Sequence, residues 1–247
     1  LTEASVEFAD VSYTFGASEE QHLLRGITLT LEPGTTTALL GRSGSGKTTL
    51  MRMVNGLVMP TEGTVRVGGR ATSDWNLQPL RRGIGYVIQE SGLFPHWTVE
   101  RNVGLALELA GAPNASRVAE VLALTGLDPD LAGRYPWQLS GGQRQRAGLA
   151  RALAADPSIL LMDEPFGALD PITRADMQTM VKDLLRRVRK TVLLVTHDLD
   201  EAIFLAERVV FVDRGEIAAD LACDQVLASN QAYVKQYVTA VHRGGAA

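Results

Sequence analysis

Gly41-Arg42-Ser43-Gly44-Ser45-Gly46-Lys47-Thr48 spaces its glycines, lysine and hydroxyl as a loop that wraps a phosphate chain. The glycines let the backbone close tightly, so successive N–H groups converge on an anion. A helix that starts at the end of the loop adds unpaired donors and the positive end of its dipole. Lys47 has the reach for terminal phosphates, and the Thr48 hydroxyl suits Mg²⁺, a hard ion that prefers oxygen. The apolar run Thr37-Ala38-Leu39-Leu40 precedes the loop and a helix-like stretch follows it. That strand–loop–helix setting separates it from a glycine-rich turn and implies a nucleoside triphosphate site.

A second pair of candidates is Asp163-Glu164, directly after the apolar run Ile159-Leu160-Leu161-Met162. Carboxylates at the end of a buried parallel strand lie at the edge where such sheets bind ligands. Asp163 suits Mg²⁺, and Glu164 suits polarising or deprotonating a water that attacks the γ-phosphate. The bland alternative is a polar strand exit. Leu139-Ser140-Gly141-Gly142-Gln143 stands before the helix-like segment Arg144–Ala155, which Asp156-Pro157 is expected to stop. Serine and two glycines at a helix start form a second anion-binding design, although the same residues occur in ordinary caps.

The elements that must position these residues are legible as patterns. Val6–Phe8, Ile27–Leu31 and Thr64–Val67 read as short strands with turns at Glu32-Pro33-Gly34 and Gly68-Gly69. After the phosphate loop, Leu50, Val54 and Leu57 share one helical face, with Gly56 near its end. From about Gln89 to Gln143 the chain becomes rich in Leu and Ala, with helical periodicity over Val99–Ala110 and Arg117–Leu124. Beyond it, Ile159–Met162, Thr191–Val195 and Val209–Val212 are uninterrupted apolar runs that suit strands buried on both faces. Helix-like segments Thr173–Arg189 and Asp200–Ala206 separate them. The expected class is α/β: a phosphate-loop NTPase core with a mostly parallel sheet, an N-terminal antiparallel β subdomain and an inserted helical subdomain. The core is assigned to 1–88 and 148–225, the helical subdomain with the Ser140 motif to 89–147, and a helical tail to 226–247. The last four residues, 244–247, are expected to fray.

Composition narrows the classes. The 247 residues are 45% hydrophobic and 21% charged, a globular balance. No apolar run is long enough to span a bilayer, so a membrane role is expected to be peripheral. No signal-peptide pattern opens the chain, which starts at Leu1 and leaves its natural start open. The net charge of −4 argues against a nucleic-acid partner. The cluster Arg186-Arg187-Val188-Arg189-Lys190 reads as a solvated helix end. Cys223, the lone cysteine, reads as a packing residue in a chain that fits a reducing compartment.

In order along the chain, the phosphate loop at 41–48, Gln89, Leu-Ser-Gly-Gly-Gln at 139–143, Asp163-Glu164, Ala168-Leu169-Asp170 and His197 resemble the ATP-binding cassette family. The resemblance covers nearly all of residues 3–220. It implies an ATPase that uses ATP and Mg²⁺, with the phosphates held by Gly41, Ser43, Gly44, Ser45, Gly46, Lys47, Thr48 and Thr49. It implies a homodimer closed head to tail, in which Ser140, Gly141, Gly142 and Gln143 contact the partner's ATP and Asp170 crosses the interface. Tyr13 is expected to stack on adenine. Gln89 touches Mg²⁺ or the attacking water, and His197 hydrogen-bonds the γ-phosphate. From the residues alone, Tyr13 reads first as core, Gln89 as a strand terminus and Asp170 as a helix cap. His22, His96 and His242 have no comparable setting and read as surface or packing residues. Arg42 and Arg144 depart from the common family pattern without removing a required donor or acceptor.

Two strings carry the resemblance further. Gly92-Leu93-Phe94-Pro95-His96-Trp97-Thr98-Val99 has aromatic residues unusual for a loop, and it reads either as an interface or as the lobe's own core. With Gly167–Arg174 it is similar to ATPases of importers for glycine betaine, choline and carnitine. Transmembrane permease subunits and, indirectly, a substrate-binding protein are the implied partners, at the cytoplasmic face of the cell membrane. An amino-acid or polyamine importer and a soluble non-transport ATPase are the alternatives. Only about twenty residues follow Asp224, too few for the paired regulatory domain common in that group.

Overall fold

The computed structural model describes residues 5–15 and 22–244. The expectations for Leu1, for the His242 side chain and for residues 245–247 fall outside what is described. In chain order the elements are β1 (Val6–Thr14), β2 (His22–Leu31), β3 (Thr36–Leu40), α1 (Lys47–Val54), β4 (Glu62–Val67), β5 (Arg70–Ala71), α2 (Leu77–Arg82), β6 (Ile84–Val87), α3 (Val99–Leu109), α4 (Ala115–Leu124), α5 (Gly141–Leu153), β7 (Ile159–Asp163), α6 (Pro171–Val188), β8 (Thr191–Thr196), α7 (Leu199–Leu205), β9 (Arg208–Asp213), β10 (Glu216–Ala222) and α8 (Ala232–Gly244). Among the described residues, no helix is long and apolar enough to cross a membrane. The described residues form two compact units, one within 5–77 together with 191–244 and one of Gln78–Lys190.

In the first unit, β2-β1-β4-β5 make an antiparallel sheet. Val6 pairs with Leu31 and Val67, and Phe8 pairs with Leu29 and Val65. All six are buried while their neighbours Glu7, Thr30 and Arg66 face out, the two-residue alternation of a sheet with one solvated side. The same unit holds β3, which runs parallel to β8 on one side and to β9 on the other. Every residue of β3 and β8 is buried, as their unbroken apolar runs require. A tight turn at Arg214-Gly215, both with positive φ, folds β10 back antiparallel onto β9.

In the second unit, β6 and β7 pair in parallel from Ile84↔Ile159 to Val87↔Met162. Helix α5 packs on β6 and against α3 and α4. The approach is close: a Cβ on Gly85 would lie 2.4 Å from the Ala152 carbonyl oxygen. The helices expected after Gln89 are present as α3 and α4, capped by Thr98 and Asn114, whose side chains accept from the amides of Arg101 and Arg117. The α/β class with mostly parallel pairing, an antiparallel sheet and an inserted helical stretch holds.

One helix is shorter than its pattern suggests. Leu57 does not share the buried face of α1 with Leu50 and Val54; it is 51% exposed. Gly56 takes φ +64°, and the amides of Leu57 and Val58 turn back to the Arg52 carbonyl, ending the helix before Leu57. The basic cluster does close α6, with Arg189 in the left-handed region and Lys190 bonded to Asp156 at 2.7 Å.

Candidate functional site

Leu40 is the register partner of both Thr196 and Phe211. Chains leaving these parallel strands at one edge therefore start side by side. Gly41 opens the phosphate loop and His197 leaves β8. Gly41 has no room for a side chain, since a Cβ would sit 2.1 Å from the Val212 carbonyl oxygen. Gly46, with φ +100°, is the residue before α1, and its Cβ would meet Leu24 at 2.5 Å.

No side chain caps α1 and no acidic residue lies in its first turn. The Lys47 ammonium is buried and donates to the carbonyls of Gly41 and Arg42, each at 2.8 Å. Ser45 is buried, Thr48 and Thr49 are half-buried, and Arg42, Ser43 and Gly44 are exposed. An uncapped helix start and an enclosed ammonium in a glycine-rich loop fit a polyphosphate. Tyr13 pairs across the sheet with Leu24, the residue that abuts Gly46, and is therefore carried on the strand beside this loop. It is half-buried, with its ring edge-on to Phe15 at 5.2 Å.

His197 is exposed, in a tightly fixed turn. The Asp198 amide donates to Thr196 Oγ1 at 3.0 Å, and the Asp198 carboxylate caps α7 by accepting from the Glu201 amide. The Tyr237 hydroxyl of α8 donates to the His197 carbonyl at 2.9 Å.

In the other unit, Val87 opposite Met162 places two further chain exits together: Ile88-Gln89 and Asp163-Glu164. Asp163 is buried and accepts a 3.3 Å hydrogen bond from the Tyr86 hydroxyl. Glu164 has φ +44°, a conformation costly for a residue with a Cβ and often found at functional sites. Gln89 is exposed, and the following Glu90 and Ser91 also have positive φ. Arg151 of α5 ties this turn down by donating to the carbonyls of Ser91 at 2.8 Å and Gly92 at 2.7 Å. Burial draws its pKa below the ordinary arginine value.

Ser140 is the N-cap of α5 and forms a reciprocal box with Gln143: each side chain accepts from the other's amide, at 3.2 and 2.8 Å. Arg144 donates to the Leu139 carbonyl at 2.6 Å and steadies the turn. A Cβ on Gly142 would lie 2.7 Å from Thr173 Cγ2, so the start of α5 meets the start of α6. Asp170 caps α6 by accepting from the Thr173 amide at 3.1 Å. Hydrogen bonds from the Thr173 side chain and amide hold its carboxyl below the usual carboxylate range. The cap reading of Asp170 is therefore realised.

Among the described residues, no group of three or more His, Cys, Asp or Glu is placed to hold a metal. The Thr48 hydroxyl of one unit and the Asp163 carboxylate of the other are each oxygen donors, the kind of ligand that Mg²⁺ prefers.

Phe94 is 45% exposed, while Leu93 and Trp97 are half-buried. Phe94 packs on Trp97 with ring centroids 4.5 Å apart, and the Arg101 guanidinium lies 4.4 Å from the Trp97 ring centroid. Asn102, fully buried, holds the loop from within. Its amide nitrogen donates to the carbonyls of Phe94, Trp97 and Thr98, and its oxygen accepts from the Phe94 amide at 2.7 Å.

Residues 24–167, which include the phosphate loop, the Ser140 turn and Asp163-Glu164, match the family described as ABC transporter. The chain belongs to the ABC transporter family. It is an ATPase cassette, and its fold agrees with those of solved cassettes: a dimeric post-hydrolysis state of the ATP-binding cassette MJ0796 bound to ADP and Pi superimposes with a TM-score of 0.79 at 35% identity, covering 88% of this chain and 98% of that one. The glycine betaine uptake system ATP-binding protein YehX of Escherichia coli (strain K12) is 47% identical over 86% of this cassette and 69% of its own length. The glycine betaine/carnitine/choline transport ATP-binding protein OpuCA of Bacillus subtilis (strain 168) is 46% identical over 83% of the cassette and 54% of its own length. The Fe(3+) ions import ATP-binding protein FbpC 2 of Rhodococcus jostii (strain RHA1) is 46% identical over 87% and 61%. The cassette thus spans little more than half to about two thirds of these relatives.

Nothing in the sequence marks Arg151, Asn102, Arg144, Tyr86 or Tyr237 as supports of these turns. Only the Ser140–Gln143 box had a local signal, a serine followed three residues later by glutamine.

Proposed function

We propose that this cassette binds MgATP in the Gly41–Thr49 loop and hydrolyses it in a dimer of two identical chains. The phosphates are held by loop and helix amides and by Lys47, whose ammonium exchanges carbonyl partners for phosphate oxygens. Tyr13 stacks on the adenine. Thr48, Gln89 and Asp163 supply oxygens to Mg²⁺, which neutralises charge on the phosphates when bound. Glu164 accepts a proton from the attacking water, and His197 donates to the γ-phosphate. Ser140, Gly141, Gly142 and Gln143 of one copy contact the nucleotide of the other, and Asp170 lies at that interface. Phosphoryl transfer of this kind depends on positioning and charge stabilisation, which these groups provide.

The observation that carries this reading is the enclosed Lys47 ammonium at the uncapped start of α1. Its test is MgATP hydrolysis by the purified chain, compared with Lys47→Ala.

The cassette drives uptake of osmoprotectants such as glycine betaine, choline or carnitine, through permease subunits at the cytoplasmic face of the membrane and a binding protein that delivers the solute. Similarity to YehX and OpuCA supports the solute class. The outward Phe94 on a loop braced by Asn102 supports a docking surface for the permease. The similarity to FbpC 2 favours a second reading, ferric-ion import. Uptake of radiolabelled glycine betaine, choline and ferric ion by a strain lacking the gene, with and without the restored chain, separates the two.

A further inference from the structure

We infer that Tyr237 of α8 is a positioning residue for ATP hydrolysis, acting through the backbone of His197. The inference rests on the proposed role of His197 at the γ-phosphate. It is carried by a chain of contacts within one unit. Phe211 is fully buried in β9, opposite Leu40, the last strand residue before the phosphate loop. The Tyr237 ring stands edge-on to Phe211, with centroids 5.6 Å apart and planes at 75°. Tyr233, one turn earlier on α8, makes the same kind of contact at 6.1 Å and 78°. These two rings seat α8 on the strand edge from which the phosphate loop and the His197 turn both depart.

From that seat the Tyr237 hydroxyl donates to the His197 carbonyl at 2.9 Å. The peptide between His197 and Asp198 then has both ends fixed, its oxygen by Tyr237 and its amide by Thr196 Oγ1 at 3.0 Å. With that peptide plane locked, His197 ψ is set, and ψ and φ together decide which rotamers of the imidazole are open. Burial, followed by the neighbouring Tyr233 and Asp198, raises the Tyr237 pKa to about 12, so its phenol stays a donor throughout the working pH range. The C-terminal helix thereby becomes part of the machinery that aims a γ-phosphate ligand.

The experiment is a double-mutant cycle on the full chain, read as kcat and KM for MgATP. Tyr237→Phe removes the hydroxyl and keeps the ring on Phe211. It is expected to lower kcat about 3- to 10-fold, the range for loss of one hydrogen bond, with KM for ATP unchanged. Tyr233→Phe on the same helix is expected to leave kcat at the wild-type value. In a His197→Ala background, Tyr237→Phe is expected to cause no further loss, because it acts through the side chain already removed. An unchanged kcat in Tyr237→Phe, an equal loss in Tyr233→Phe, or the same loss repeated in the His197→Ala background would each overturn the inference alone. Full turnover by His197→Ala would overturn the role of His197 itself.

Discussion

Gly142 and Thr173 meet so closely that a single added methyl group would overlap: the Cβ-to-Cγ2 distance would be 2.7 Å. The starts of α5 and α6 are locked together at this point, one capped by Ser140 and the other by Asp170. Gly142→Ala is therefore expected to displace the Ser140 turn while leaving the Gly41–Thr49 loop intact. ATP affinity should stay near wild type, and turnover should fall about 100-fold, as a misplacement of about 1 Å can cause. Equilibrium binding and steady-state hydrolysis on one preparation check both halves.

Lys47→Ala removes the enclosed ammonium from the phosphate loop. Turnover is expected to drop by about 100-fold or more, the scale for loss of a charge-stabilising group. A loss of only a few-fold would remove Lys47 from the centre of the mechanism.

Phe94 and Asn102 act on different properties of one loop. Asn102→Ala leaves several buried backbone groups without their partner, and a loss of about 2–3 kcal/mol is expected in urea unfolding. Phe94→Ala truncates an outward ring; stability and basal ATPase activity should stay near wild type while solute uptake with the permease falls. Equal destabilisation by both substitutions would assign Phe94 to the core.

The Asp170 carboxylate gives a pH-dependent signal. Its folded-state pKa is depressed, so its contribution is complete above the unfolded aspartate value, about 3.9, and is lost as pH falls through the lower folded value. Asp170→Asn retains a capping acceptor without the charge. The stability difference between wild type and Asp170→Asn is expected to be constant near neutrality and to shrink below about pH 4. A difference that does not change on acidification would contradict the charged cap.

The legible parts of this protein were those whose signal is local. The phosphate loop needs eight consecutive residues, and the buried strands announce themselves as runs such as Thr191–Val195. The overreach at Leu57 has a local cause too: helical spacing continued past Gly56, but the backbone reversed there. Gln143 stands out in the sequence for its place in a motif, and its side chain also closes a capping box on Ser140. The supports of the site were hidden because their partners are distant in sequence. Arg151 holds Ser91 across 60 residues, and Tyr237 holds His197 across 40. An arginine within a helix and a tyrosine near a chain end carry no spacing that predicts such contacts.

The central claim is that two copies of this chain share each ATP. Glu164→Gln removes the proposed proton acceptor and keeps the side chain's size. Light scattering coupled to sizing chromatography, run with this variant at saturating ATP and Mg²⁺, measures the claim directly. A stable dimer that requires nucleotide, and is lost when Gly142→Ala is added, is expected. A monomer at every ATP concentration would contradict it.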